Sequence, residues 1–98
     1  MTTIVVTGIG TTNPLGGDAA STWSALLAGE SGISTLEHDW VARHELPVTF
    51  AGQAKVAAVD VLERQEVKRL DPSAQFALIS AREAWADAGS PDVDPERI

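Results

Sequence analysis

The stretch "VVTGIGTTNPLGG", residues 5–17, decides how the rest of the chain is interpreted. It passes from β-branched residues into glycines. The apolar run at 4–6 (Ile-Val-Val) is typical of a strand that is buried on both faces of a sheet. Gly8 and Gly10 end this run, and Pro14 with the glycine pair that follows it predicts a loop. The chain therefore begins as α/β proteins often do, with a buried strand that leads into a glycine turn.

A glycine turn after a strand can hold a phosphate group. The dinucleotide fingerprint G-x-G-x-x-G is matched at Gly8 and Gly10, but Asn13 replaces its third glycine. The first predicted helix begins only near Ala19, so no helix N-terminus would face a pyrophosphate. A P-loop is excluded because the chain has no Gly-Lys-Ser/Thr. The sequence thus disfavours a nucleotide oxidoreductase, and we expect these glycines to turn the strand sharply into the loop.

Composition excludes several other classes of protein. The 98 residues suffice for one small domain at most, and 14 acidic against 7 basic side chains give a net charge of −7. Such a charge argues against general nucleic-acid binding and against an anionic membrane surface. There is no cysteine, so the chain has no disulfide, thiolate zinc site or cysteine nucleophile. Without a signal peptide or a long apolar segment, we expect a cytoplasmic protein with no membrane insertion.

Two helices are predicted most clearly. One covers residues 19–28 with Asp18 as N-cap, and the other covers 72–88, where Asp71 is the N-cap and Pro72 occupies the first turn. The second helix has a predicted core face, spaced by three and four residues, of Ala74, Ala77, Leu78, Ala81, Trp85 and Ala88. Apolar residues also lie on its other sides. We therefore expect burial on more than one side, with the alanines allowing close approach of another backbone.

The remaining elements are weaker. Residues 30–45 are predicted to be a loop, 46–54 to contain a strand, and 61–70 to form a short helix capped by Asp60. The histidines His38 and His44 fall in the predicted loop without a metal-ligand pattern, so no metal site is expected. One buried-type strand needs neighbours on both sides, which this chain barely supplies. The sequence therefore predicts part of a larger α/β protein.

A basic cluster stands out in this acidic chain. Arg64, Lys68 and Arg69 lie within six positions and are three of only seven basic residues. In one interpretation they bind an acidic partner. In the other they belong to an ordinary solvated face, neutralised by the nearby acids Glu63, Glu66 and Asp71.

Three stretches resemble, in order and spacing, the N-terminal part of the β-ketoacyl-acyl-carrier-protein synthases. They are "VVTGIGTTNPLGGDAASTWSALLAGESGI" (5–33), "LPVTFAGQ" (46–53) and "VKRLDPSAQFALISAREAWADAG" (67–89), and together they span nearly the whole chain. The chain is more similar to the dissociated, elongating type, synthase II, than to the synthase domains of modular polyketide enzymes. The ending "AGSPDVDPERI" is similar to that region of actinobacterial members.

The resemblance implies a thiolase-like fold, layered α/β/α/β/α, of which residues 1–98 would be the N-terminal segment of the first half. It implies a homodimer without a cofactor that condenses malonyl carrier protein with an acyl group held on a cysteine. In the family that cysteine and two catalytic histidines lie beyond the position of Ile98, and His38 and His44 match neither histidine. We therefore expect the segment alone to carry no catalytic residue and to be inactive.

The resemblance also bears on the basic cluster. In this family, basic residues just before the aspartate that opens the long helix help to dock the acyl carrier protein, in its acyl- and malonyl-loaded forms. Arg64, Lys68 and Arg69 match such positions, whereas Gln65 stands where some relatives have a further lysine. Two alternatives remain. One is a chain-length factor or ketosynthase of a type II polyketide system, and the other is a non-catalytic module that binds carrier protein.

Overall fold

The computed structural model of the protein describes residues 2–97. Contacts within the chain divide it into two compact units. The central unit is Thr12–Ala57. The terminal unit joins the N-terminal residues up to Thr11 to the described chain from Ala58 onward. Helices and strands are both present, which confirms the mixed α/β character predicted from the sequence. No helix within residues 2–97 is long and apolar enough to cross a membrane.

The central unit contains two helices and a small sheet. Its elements in chain order are α1 (Ala19–Leu27), β1 (Ile33–Thr35), α2 (Asp39–Arg43) and β2 (Phe50–Gly52). The strands pair antiparallel, with Ile33 opposite Gly52. The terminal unit contains a 3-10 helix (Ala58–Asp60), α3 (Arg64–Arg69), α4 (Pro72–Asp87) and a final 3-10 helix (Pro95–Arg97).

Helix α1 confirms the helix predicted at 19–28. The Asp18 carboxylate accepts a hydrogen bond from the backbone N–H of Ser21 at 2.8 Å, and the Ser21 hydroxyl closes a capping box. Gly29 follows the helix with φ of 72°, a conformation that glycine adopts at little cost. Local sequence signals therefore fix both ends of this helix.

The rest of the central unit departs from the sequence prediction. Residues 30–45, predicted to be a loop, contain β1 and α2. The strand predicted within 46–54 is present but short, at Phe50–Gly52. Helix α2 has five residues and buries only Val41 among them, too few positions for a helical period to show in the sequence.

Helix α4 confirms the long helix predicted at 72–88. Asp71 caps it by accepting from the backbone N–H of Ala74 at 2.8 Å. At the other end Gly89 has φ of 88°, and the N–H of Ser90 donates to the Trp85 carbonyl at 2.9 Å. The small core of the terminal unit consists of the buried residues Ala58, Leu62 and Ile79 with the partly buried Val67, Phe76 and Leu78.

The face of α4 that meets this core is only partly the predicted one, because Leu78 packs against the core as expected but other members of the predicted face do not. Ile79 is the buried residue of the helix and Phe76 packs beside it, although the periodicity placed both on other faces. Three members of the predicted face, Ala77, Ala81 and Trp85, are exposed. Several sides of this helix are apolar or small, so the position of Leu62 and its neighbours decides which side is covered. The expected burial on a second side is confirmed, because Gly8 lies against Ala84 and Ala88.

Two further predictions are corrected. Asp60 does not cap α3, because it belongs to the preceding 3-10 helix and Glu63 is the N-cap instead. The run at 4–6 is not a buried strand: it has no strand partner within residues 2–97, and Ile4 is 92% exposed. A strand of this composition needs neighbouring strands on both sides, and the described residues supply none.

Candidate functional site

The glycine turn at the start of the chain packs against helix α4. A Cβ added to Gly8 would overlap the carbonyl oxygen of Ala84, and one added to Gly10 would overlap that of Ser80. The backbone N–H of Ile9 donates to the Asp87 carboxylate at 3.0 Å. The two glycines therefore allow backbone-to-backbone contact, which refines the expectation that they turn a strand into a loop.

The same turn is chemically unsuited to a phosphate. Besides the bond from Ile9 to Asp87, the N–H of Thr11 donates to the Glu83 carboxylate at 2.8 Å. A phosphate loop presents free N–H groups to its anion, whereas these N–H groups are bound to two carboxylates. Their negative charge would also repel a phosphate. The geometry agrees with the sequence argument against nucleotide binding.

Asn13, at the third position of the failed fingerprint, organises the loop that follows. Its Oδ1 accepts from the backbone N–H of Leu15 at 2.8 Å and of Gly16 at 3.2 Å. Its Nδ2 donates to the Thr22 hydroxyl on α1 at 2.9 Å. Asparagine is suited to this turn because its short amide can accept from the chain ahead and donate at the same time. Sequence reasoning noted Asn13 only as a mismatch, although Asn-Pro is itself a turn signal.

Helix α3 presents the basic cluster predicted from the sequence. The side chains of Arg64, Lys68 and Arg69 are exposed, and none forms an ion pair with another residue in the 2–97 range. Lys68 and Arg69 occupy the last turn, where a positive charge is favoured by the negative end of the helix dipole. The structure therefore brings the three charges together on one short helix and leaves them accessible. We call these three residues the basic cluster.

The nearby acids are engaged elsewhere. Glu66 pairs with Arg82 on α4 through two hydrogen bonds, Nη1 to Oε1 at 3.0 Å and Nη2 to Oε2 at 2.6 Å. The Arg82 guanidinium, together with the backbone N–H of Glu63, lowers the pKa of Glu66. Asp71 caps α4, and the backbone N–H of Ala74 with the Ser73 hydroxyl lowers the pKa of Asp71.

Glu63 is the N-cap of α3, and its backbone N–H donates to Glu66 Oε1 at 3.2 Å. None of the three acids forms an ion pair with the basic cluster among the residues described. The basic cluster therefore has no direct ion-pair partner among the described residues, which favours the interpretation that it binds an acidic partner.

Residues 1–98 match the family described as Beta-ketoacyl synthase, N-terminal domain. The chain belongs to this family. The resemblance inferred from the three stretches is confirmed across the whole chain. Among curated proteins, the chain is 38% identical over 95 residues to the 3-oxoacyl-[acyl-carrier-protein] synthase 2 of Mycobacterium tuberculosis strain H37Rv and to that of Mycobacterium bovis. It is 36% identical over 95 residues to the protein of the same name from Mycobacterium leprae. Each match covers 97% of this chain but 23% of the relative.

In this β-ketoacyl synthase family member the two histidines occupy the two ends of α2. His38 precedes α2, stacks on Trp40 with ring centroids 5.1 Å apart, and has Nε2 within 2.9 Å of Gln53 Nε2. His44 is the C-cap of α2. No group of three metal-ligating side chains occurs among the described positions. Among the described residues, the exposed basic cluster on α3 is the candidate site, because it brings three charged side chains together without an ion-pair partner.

Proposed function

We propose that this chain forms the N-terminal segment of the first thiolase-like half of a 3-oxoacyl-acyl-carrier-protein synthase that elongates acyl chains in fatty-acid biosynthesis. The proposal is supported by the family match over residues 1–98 and by the names of the mycobacterial relatives. The complete enzyme would be a layered α/β/α/β/α homodimer of the cytoplasm. The observation that supports a part for this segment in the function is the exposed basic cluster on α3, which has no ion-pair partner among the described residues.

The reaction needs a thiolate that is first nucleophile and then leaving group. An acyl chain passes from the carrier thiol to an enzyme cysteine as a thioester. Malonyl carrier protein loses carbon dioxide, and the resulting carbanion attacks the acyl carbonyl. A carbon–carbon bond forms, the carbon–sulfur bond breaks, and the cysteine thiolate leaves. The 98 residues contain no cysteine, so in this proposal the reacting group lies outside them and the segment alone is inactive.

The role proposed for the basic cluster is to dock the carrier protein in its acyl- and malonyl-loaded forms. A partner carrying acidic and phosphate groups would be attracted to Arg64, Lys68 and Arg69. Because the chain has a net charge of −7, its other surfaces would repel such a partner, and the basic cluster would select where it docks. Charge at an interface rim acts mainly on the rate of association. In this role the basic cluster would bring the carrier-bound thioester to the enzyme. Its side chains would take no part in making or breaking bonds.

The experiment that tests the function is a condensation assay on the full-length protein with acyl- and malonyl-carrier protein as substrates. Formation of the β-ketoacyl carrier protein, together with a covalent acyl-enzyme adduct in the intact mass spectrum, supports the synthase. Carrier binding without an adduct or a condensation product would instead identify a chain-length factor or a non-catalytic binding module. Absence of both binding and turnover would refute the proposal.

A further inference from the structure

The helix that carries the basic cluster is too short to hold its own position. Helix α3 has six residues, Arg64–Arg69, and none of them is buried. Isolated helices shorter than about 12–15 residues are marginal in water, so α3 depends on contacts with the rest of the terminal unit. Val67 supplies one such contact, because it packs against the core. Beside this apolar contact, the polar contacts of α3 contribute to how firmly its charges are held.

Gln75 of α4 holds the C-terminal end of α3. Its Nε2 donates to the carbonyl oxygen of Val67 at 3.0 Å and to that of Leu70 at 2.9 Å. The last carbonyls of a helix have no partner within it, and these two belong to that group. Both hydrogen bonds are partly buried, so loss of the donor would leave two shielded acceptors without a partner. One amide thus closes the end of α3 that carries Lys68 and Arg69.

Arg82 also holds α3, and it lies on α4 two turns beyond Gln75. Its two hydrogen bonds to the Glu66 carboxylate are fork-to-fork, the geometry that fixes both side chains in orientation as well as distance. Glu66 Oε1 also accepts from the backbone N–H of Glu63 at 3.2 Å. The pair is therefore tied to the first turn of α3. We call Gln75, Arg82 and Glu66 the polar clamp.

We propose that the polar clamp, and Gln75 in particular, positions the basic cluster for docking of the carrier protein. The inference rests on the proposed function of the cluster. Gln75 is a positioning residue in this account, since it reaches the backbone of α3 and none of the three basic side chains. A helix fixed at both ends loses less conformational freedom on binding, and preorganisation of this kind strengthens a complex. Once bound, the carrier would leave more slowly.

The test compares Gln75→Met with the unaltered full-length protein. Methionine has nearly the length of glutamine but no hydrogen-bond donor. We measure association and dissociation rates for holo-acyl carrier protein, and backbone amide hydrogen exchange across residues 64–70. We expect faster exchange in α3, a dissociation rate raised about two- to tenfold, as loss of a hydrogen bond implies, and an unchanged association rate because all three charges remain. The control is Gln53→Met in the central unit, which should change neither of the two rates nor the amide exchange of α3.

A merely structural role for Gln75 would give a different result. General loss of fold would lower the fraction of protein able to bind and leave the dissociation rate of the bound molecules unchanged. An unchanged dissociation rate, with or without faster exchange in α3, overturns the inference. If Gln75→Met does not fold, Arg82→Gln serves in its place, because the Arg82 side chain is 57% exposed and its loss leaves the core intact. The same increase in dissociation is expected.

The double variant Lys68→Glu/Arg69→Glu separates this inference from the proposed function. If charge reversal leaves carrier binding unchanged, the docking assignment is refuted, and the positioning role with it. If charge reversal weakens binding while neither clamp variant alters dissociation, the docking assignment stands and only the positioning role is refuted.

Discussion

Gly10 lies directly against the backbone of α4 at Ser80. A Cβ on Gly10 would overlap the Ser80 carbonyl oxygen and come 2.6 Å from the backbone nitrogen of Ala84. Both obstacles are main-chain atoms of a helix, so neither can move without distorting its hydrogen bonds. The glycine is required at this position by proximity, and its φ is not in the left-handed range.

Gly10→Ala should therefore be strongly destabilising. We expect a loss of about 3 kcal/mol or more, at the upper end of what overpacking a tight contact costs. The measurement is chemical denaturation of the full-length protein. Gly29→Ala is the matched control, because a Cβ there meets nothing within 4 Å and the substitution strains only a backbone with φ of 72°. The control should lose about 1 kcal/mol. Equal losses at the two glycines would show that the contact with α4 is not tight.

Glu45 offers a change in the opposite direction. It follows α2 with φ of 49°, and the N–H of Leu46 donates to the Val41 carbonyl at 3.1 Å in the hydrogen-bond pattern that usually has glycine at this position. Glu45→Gly should stabilise the protein by about 0.5 kcal/mol, since the relief of strain slightly exceeds the added freedom of the unfolded chain. The measurement is the denaturation midpoint.

The control for this prediction is the neighbouring residue. His44 has φ of −99°, which any residue adopts without strain. His44→Gly should therefore destabilise the protein, because glycine adds freedom to the unfolded chain and relieves nothing. A stabilisation of similar size at both positions would rule out relief of strain at Glu45.

The basic cluster should act through charge. Under the docking role proposed above, Lys68→Glu/Arg69→Glu in the full-length protein should raise KM for carrier-bound substrates about tenfold or more at low salt, with a smaller effect on kcat, because charge at an interface rim acts on association. The effect should shrink as salt screens the attraction. Arg43→Glu/Lys55→Glu in the central unit changes the net charge equally and serves as control. Unchanged kinetics of the cluster variant at low salt would eliminate this surface as the docking site.

Sequence reasoning predicted the ends of α1 and α4 correctly, because their causes are local. Asp18 and Asp71 cap their helices, and Gly29 and Gly89 end them, because a cap depends on residues within one turn. The cap of α3 was missed although it is equally local. Glu63 forms a capping box with a glutamate three residues later, and the expected pattern begins with serine or threonine.

What sequence reasoning could not supply depends on distant residues. Ile79 faces the core because Leu62 lies there, and several sides of α4 are apolar enough to have served. The Glu66–Arg82 pair joins positions 16 apart, so no helical spacing indicates it. The run at 4–6 was predicted as a strand from its β-branched residues, but a strand also needs a partner, and composition does not provide one. The basic cluster could be predicted because a cluster of charges is visible along the chain. Its lack of an ion pair with the nearby acids could not be predicted from the sequence.

The attachment of α3 should weaken in acid. The Arg82 guanidinium lowers the pKa of Glu66 below its ordinary value of 4.5 in the folded state. A group whose pKa is lowered by folding contributes stability above its unfolded pKa, and this contribution disappears as pH falls through the folded pKa. The capping carboxylate of Asp71, at the start of α4, acts in the same direction, since hydrogen bonds from the Ala74 N–H and the Ser73 hydroxyl lower its pKa. Amide exchange in α3 should therefore accelerate as pH falls from about 5 towards 2, after correction for the intrinsic exchange rate.

Glu66→Gln identifies the group responsible for that acid response. Glutamine keeps the length of the side chain and removes the charge that titrates, so α3 should exchange faster at neutral pH and respond less to acid than it does in the unaltered protein. The control is Glu37→Gln, because the Glu37 carboxylate has no hydrogen bond or ion pair with another described residue. It should leave the profile of α3 unchanged. If the acid response persists at full size in Glu66→Gln, the pair with Arg82 does not hold the helix, and the Asp71 cap of α4 accounts for the loss of stability instead.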